Sequence, residues 1–386
     1  MKNSKAWLIL TIIGSIGLVA GIGCIVATFF IPKEELPELE FPRIPSAVRK
    51  DAFYSNLTGL ETTESGKTAP TYCIQTPNGT DGGRPQAGLD QAGVVFEAIA
   101  EAGITRFAAI YQNPTSAVIG PIRSLRLYYL EWDTPFDCTI VHAGGANDAL
   151  QALKTGSYKD LTENYTYMYR SNMGNRRWNN LFTNATLLAQ LSGDRGYTKS
   201  EVNGFARMTP DESWHDLIDN SVSEKLVITE PAEGDISEVK PSVSEIKVRF
   251  GSSPTFNVIY KYNPETNSYD RSYENGTAHE VYSCPSEALG KVSPEGACIL
   301  KQLSPSVVAI MMVSEKKADD GYHENITTLG SGNAYVFQNG RAIAGTWHKT
   351  TVRDQIKFYS MDGAEIQMAP GQTFVEAVPN YGSVAY

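Results

Sequence analysis

Val94-Val95-Phe96-Glu97-Ala98-Ile99-Ala100 runs through Glu101-Ala102-Gly103 into Ile104-Thr105-Arg106-Phe107-Ala108-Ala109-Ile110-Tyr111-Gln112, and the fold turns on how this stretch is read. The first run is apolar enough for a buried strand or a short helix. The second, β-branched and aromatic after a glycine turn, reads as a strand. Downstream, Ala117-Val118-Ile119 is expected to pair with it across Asn113-Pro114-Thr115, and Pro121 suits the first turn of a helix carrying Ile122, Leu125, Tyr129 and Leu130 on one face. Next, Cys138 to His142 forms a strand that enters Gly144-Gly145 and a helix from about Asn147 to Lys154. Strand, glycine turn and helix make an α/β unit. Upstream, Tyr72-Cys73-Ile74 is a further short strand.

Past an acidic, proline-containing join between Glu230 and Pro241 the texture changes to strand and turn, with Asn339-Gly340 and Asp362-Gly363 between β-rich runs. Asn-Gly and Asp-Gly are strong hairpin signals. The expected fold class is therefore α+β, with a mixed, sandwich-like α/β domain over 69–229 and a smaller β-rich domain over 230–386, each long enough to own a core. Residues 33–68, rich in proline and acidic residues and then in Ser, Thr and Gly, read as a stalk.

Ala6 to Ile31 carries no charged side chain and is long enough to cross a bilayer as one helix. Lys2 and Lys5 precede it and Glu34, Glu35, Glu38 and Glu40 follow, which orients the N-terminus to the cytoplasm and everything after it outward. This predicts residues 1–32 as a cytoplasmic tip and single-pass anchor in the cell membrane. A cleaved signal peptide and a lipid anchor on Cys24 are the rivals; Gly21 stands where a lipoprotein signal has Leu, and the apolar run continues past Cys24.

The formal charge of −10 argues against nucleic acid as a partner and against general attraction to an anionic surface. Any anion site must be local. No metal-ligand spacing, nucleotide loop or cofactor motif is present, the five His being scattered. Outside the anchor stand Cys73, Cys138, Cys284 and Cys298. In an oxidising compartment Cys284 and Cys298 suit a short closed loop; Cys73 and Cys138 are either a second bridge or two buried small apolar residues.

Arg106, Arg123 and Arg126 lie at expected strand ends and a helix start, and Arg84 and the Gly144-Gly145 turn opening a helix at Asn147 are the natural complement. Arginine forks and helix N-termini favour phosphate-like oxygens; the plainer alternative pairs Arg106 with Glu97 or Glu101. Arg170, Arg176 and Arg177, beside Trp178, form a second basic group. Ser124 is a weak candidate nucleophile or helix cap and His142 a candidate base or structural residue. Gly345-Thr346-Trp347-His348-Lys349 reads as an aromatic-basic turn, or as a Trp packed on a sheet.

The stretches Arg84-Pro85-Gln86-Ala87-Gly88-Leu89, Glu101-Ala102-Gly103-Ile104-Thr105-Arg106-Phe107, Ile119-Gly120-Pro121-Ile122-Arg123-Ser124, His142-Ala143-Gly144-Gly145, Asn180-Leu181-Phe182-Thr183 and Pro370-Gly371-Gln372-Thr373 resemble the YerB-like family of bacterial envelope lipoproteins. That resemblance implies two linked domains and an envelope location, and no assigned activity. Asn179 stands where the family pattern has His. A fainter similarity is to the LytR-CpsA-Psr phosphotransferases, which hold a polyprenyl pyrophosphate with arginines; the matching positions are Arg106, Arg123, Arg170, Arg176 and Arg177. Ser124 replaces the acidic residue that metal-assisted transfer requires, so binding survives the comparison better than catalysis. The expected role is thus binding of an anionic envelope glycan or lipid-linked precursor. The alternatives are a phosphotransferase or hydrolase acting on the same material, and a docking partner of cell-wall synthesis proteins.

Overall fold

The computed structural model describes residues 52–173, 178–221, 242–288 and 294–386, all within one unit. The expected anchor, the N-terminal part of the stalk, Arg176, Arg177 and the acidic join at 230–241 lie outside the described residues. Among the described residues no helix is long and apolar enough to cross a membrane.

The principal strands, in chain order, are β1 (Thr71–Pro77), β2 (Val94–Glu101), β3 (Ile104–Gln112), β4 (Thr139–Val141), β5 (Lys159–Leu161), β6 (Glu245–Arg249), β7 (Val258–Asn263), β8 (Ser268–Tyr273), β9 (Glu280–Ser283), β10 (Ile299–Gln302), β11 (Val307–Val313), β12 (Gly330–Gln338), β13 (Arg341–Lys349), β14 (Lys357–Ser360), β15 (Thr373–Pro379) and β16 (Ser383–Ala385). The principal helices are α1 (Leu127–Asp133), α2 (Asn147–Thr155), α3 (Ala185–Arg195) and α4 (Pro210–Ser221). Ten strands form one mixed sheet in the order β14-β13-β12-β11-β15-β2-β3-β1-β4-β5. Within it β15 runs parallel to both β11 and β2, and the β1-β4-β5 edge is parallel throughout. A second sheet, β8-β7-β6-β16, is antiparallel.

Both runs of the opening stretch are strands, joined by Ala102 and Gly103 at φ 52° and 74° so that Glu101 faces Ile104. Two positive φ values in a two-residue loop match the twist of the flanking strands. Asn339-Gly340 repeats this geometry between β12 and β13, at φ 52° and 69°, with Gln338 facing Arg341.

The ambiguity over Val94–Ala100 has a structural cause. Alternate residues point to opposite faces, and both faces are covered. Val94, Phe96 and Ala98 join Tyr129 and Trp132 of α1, with Phe96 stacked on Trp132 at 5.4 Å between centroids. Val95 packs with Leu188 and Leu191 of α3, and Ile99 packs with the smaller sheet. A strand buried on both sides has no polar alternation to display.

Several expectations are corrected. The join near residue 230 does not interrupt the sheet: β15, from the C-terminal half, pairs residue by residue with β2, from Thr373 opposite Val94 to Glu376 opposite Glu97. One core cluster includes Phe96 and Trp132 together with Val307 and Trp347, so the two halves share an interior. Residues 52–68 are folded: Phe53–Tyr54 pairs with Glu61–Thr62, Leu57 is buried in the core, and Glu64–Lys67 is a short helix capped by Thr63. Ala117–Ile119 is not the hairpin partner of β3, whose two sides are taken by β1 and β2; Ile119 instead bridges Thr183. The segment after Pro121 is extended rather than helical, and α1 begins at Leu127. Trp347 lies in β13, buried, donating its indole N–H to Met312 O at 2.9 Å, so Gly345 to Lys349 is strand rather than turn.

Both cysteine pairs are bridged, Cys73 to Cys138 and Cys284 to Cys298. The first ties β1 to the chain entering β4; the second joins the segments around β9 and β10.

Candidate functional site

The extended segment Ile119–Arg126 is stitched between the end of β1 and the turn after β4. Arg123 N–H donates to Gln75 O at 2.8 Å, Ala143 N–H to Arg123 O at 3.0 Å, Leu125 N–H to Gly144 O at 3.0 Å and Ala146 N–H to Leu125 O at 3.1 Å. Gly144 adopts φ 67°, which lets the chain reverse into α2. Gly145 lies so close to this segment that an added Cβ would come within 3.1 Å of Leu125 O. Arg123, Ser124, Arg126, His142, Gly144, Gly145 and Asn147 are thereby gathered in one place. Arg106 joins them by donating to Ser124 O at 2.8 Å.

Convergence and availability differ. Arg106 and Arg126 both bind the Glu101 carboxylate, each with an N–O distance of 2.6 Å, and all three side chains are largely buried. Burial pulls the Glu101 carboxyl up, but Arg106 and Arg126 together hold it below the usual carboxylate range. Burial, reinforced by Arg126 and opposed by Glu101, lowers the Arg106 guanidinium from its ordinary value. Glu101, at the end of β2, is one of the two partners the plainer alternative for Arg106 named; Glu97, the other, pairs with Arg271. Arg123 is the member left over. It is half-buried, and among the described residues its guanidinium has no hydrogen bond or ion pair.

The remaining candidates resolve into structural roles. His142 is buried with both ring nitrogens occupied, Nδ1 by Gly144 O at 2.6 Å and Nε2 by Asp160 at 2.9 Å, so it fixes the glycine turn and has no nitrogen free for a substrate. Ser124 is not a helix cap, since the N-cap of α1 is Arg126, and its hydroxyl has no partner among the described residues to act as base. Arg84 lies apart from the cluster, with Nε donating to Asn78 at 2.9 Å and its guanidinium 3.8 Å from the Tyr273 ring centroid; burial lowers its pKa. Arg170 is exposed and committed to Glu163 and Asn180, both at 2.6 Å, and to Tyr165 at 2.8 Å. Among the described residues no group of His, Cys, Asp and Glu is placed to hold a metal ion.

Sequence reading missed a second charged assembly, between the two sheets. Arg271 of β8, fully buried, pairs with Glu97 of β2, lies 3.9 Å from Glu376 of β15 and donates to Tyr260 at 2.9 Å. His279 bonds Arg271 on one side and Gln86, at 3.0 Å, on the other. Burial first, and then the neighbouring Glu97, push the Glu376 carboxyl well above its ordinary range. Burial and the adjacent Arg271 push the His279 imidazole well below its own. The signal that could have pointed here is a carboxylate in the middle of each of two apolar strands, Glu97 in β2 and Glu376 in β15.

Residues 57–198 match the family described as "Protein of unknown function (DUF3048) N-terminal domain", and residues 246–375 match the corresponding C-terminal domain. The chain is 25% identical over 342 residues to "Putative lipoprotein YerB" of Bacillus subtilis (strain 168), covering 87% of this chain and 89% of that protein. The crystal structure of YerB protein from Bacillus subtilis matches with a TM-score of 0.66 and 22% sequence identity, covering 86% of this chain and 100% of that one. The fold is therefore shared along nearly the whole described region.

Proposed function

The chain belongs to the YerB-like family, and from that premise we propose that it is a membrane-anchored, extracytoplasmic envelope protein that binds an anionic ligand without transforming it. The relative from Bacillus subtilis is named a lipoprotein, which agrees with an envelope location. The uncharged run Ala6 to Ile31 supplies the anchor here, with the described region on the outer side. Mass spectrometry of the purified full chain distinguishes an intact N-terminus from one cleaved and acylated at Cys24.

One observation carries the ligand class: Arg106 and Arg126 share the single carboxylate of Glu101, and Arg123, on the same extended segment as Arg126, has no partner for its guanidinium among the described residues. Three guanidinium groups against one carboxylate leave a local positive excess in an acidic protein. The matching ligand is a phosphate-bearing glycan or lipid-linked precursor. Binding is favoured over a phosphotransferase or hydrolase because His142 has no nitrogen free and Ser124 has no base.

The test is titration of the full-length protein in detergent with decaprenyl phosphate and with the uncharged alcohol. The expected result is binding of the phosphate only, weakened about tenfold or more by Arg123→Ala and by raised salt. Equal affinity of wild type and Arg123→Ala refutes the assignment.

A further inference from the structure

Away from the arginine cluster, a cleft of about 1330 Å³ opens between three parts of the chain: the ribbon beginning at Phe53, the strap of residues 202–209, and the outer face of β13 and β14. We propose that this cleft is a second binding seat, for an uncharged glycan strand. It rests on the envelope reading only for the choice of glycan among neutral polymers.

The walls are fixed before any ligand arrives. Gly204 sits where an added Cβ would strike Asn56 O at 1.8 Å, so strap and ribbon are in backbone contact. Arg207 holds the strap to its surroundings, donating to Leu57 O at 2.6 Å, Thr373 Oγ1 at 2.9 Å and Ala369 O at 3.1 Å. A preformed site avoids the cost of ordering its walls on binding.

The lining is aromatic and hydrogen-bonding together. Alternation along β13 sends Trp347 into the core and Thr346 and His348 into the cleft; His348 meets the Tyr359 ring edge-on at 5.2 Å. Phe53 is 41% exposed and Met361 81% exposed, and among the described residues the hydroxyls of Tyr54 and Tyr359 have no hydrogen-bond partner. Rings with one apolar side and one wet end suit a ligand that is itself apolar on its ring faces and polar at its edges. Pyranose rings have that character.

Charge and size narrow the class. Lys357 is paired with Glu365 at 3.0 Å, and of the remaining charged lining residues Asp354 stands against Lys67 and Arg207, the latter with its guanidinium turned onto Leu57 O, Ala369 O and Thr373 Oγ1; one positive charge in excess is little for a polyanion to engage. The volume exceeds the roughly 300–1,000 Å³ of ordinary small-molecule pockets, which favours several linked units. An added peptide strand is disfavoured: β14 is the last strand of the large sheet, yet its outer side is occupied, with Ser360 N–H donating to Ala364 O at 2.9 Å and Ile366 N–H to Phe358 O at 2.7 Å.

The experiment is calorimetric titration of the full-length protein in detergent with two neutral oligosaccharides, tetra-N-acetylchitotetraose and hexa-N-acetylchitohexaose. Wild type should bind at least one of them saturably. Tyr359→Ala and Phe53→Ala, both at solvent-accessible positions, should each weaken that binding tenfold or more at unchanged melting temperature. Arg123→Ala should leave it intact while weakening the phosphate response about tenfold or more, which separates failure of this seat from failure of the anion site. No saturable binding of either glycan at millimolar concentration overturns the proposal, as does binding that both cleft variants retain.

Discussion

Replacing Arg271 with methionine should cost about 3–5 kcal/mol, the usual penalty for removing one partner of a buried ion pair. The magnitude follows from what remains. Glu97, fully buried, would keep the Asn78 side-chain amide, at 3.0 Å, and its hydrogen bond with the neighbouring Glu376, which would keep Tyr260. Both carboxylates are fully buried, so bulk solvent cannot replace the lost cation. Against a typical domain stability of about 5–15 kcal/mol this is a large share. The Glu97→Gln, Arg271→Met double variant should recover at least half of the loss, because it removes the stranded charge together with its partner. Urea unfolding of the full-length protein in detergent, followed by tryptophan fluorescence, measures all four corners of the cycle. A single-variant cost under about 1 kcal/mol, or additive single and double variants, would refute the view that this cluster joins the two halves across their shared interior.

Glu315 provides a pH test: burial first, and Glu324 next, push its carboxyl up to about 7 although Tyr381 donates to it at 2.6 Å. A carboxyl raised on folding contributes stability that is fully present below its unfolded value of about 4.5 and lost as pH rises through 7, so Glu315→Gln should raise the melting temperature at pH 8 and not at pH 4. For the disulfides, chain-entropy loss scales with loop length: opening Cys73–Cys138, separated by 65 residues, should cost about 4 kcal/mol, and opening Cys284–Cys298, separated by 14, about 3 kcal/mol. Paired Cys→Ser variants compared by urea midpoint check both, and a larger loss at the shorter loop contradicts the entropic account.

The amino-acid order was most informative where local chemistry settles conformation. Gly103 and Asn339-Gly340 marked two-residue turns because Gly and Asn tolerate positive φ, whereas Ala102 takes φ 52° against its own preference; the glycine turn into the helix at Asn147 followed from the same rule. It was least informative where a neighbour decides. Pro121 is compatible with a helix start, yet the segment is extended because Gln75 and Gly144 claim its backbone groups. Arg106 and Arg126 read as an anion cradle, yet Glu101 lies within reach of both once β2 and β3 pair.

Turn chemistry, the apolar runs and the uncharged N-terminal stretch are properties of adjacent residues, and the sequence alone determined them. Which charges are spent on one another, and which surfaces enclose a cleft, depend on residues far apart in the chain. Glu97 meets Arg271 across a separation of 174 residues, and the cleft draws on Phe53, Arg207 and Tyr359 together. Electrostatic and contact energies depend on distance in space, which only the pairing of β15 with β2 and the packing of the smaller sheet against the larger could set.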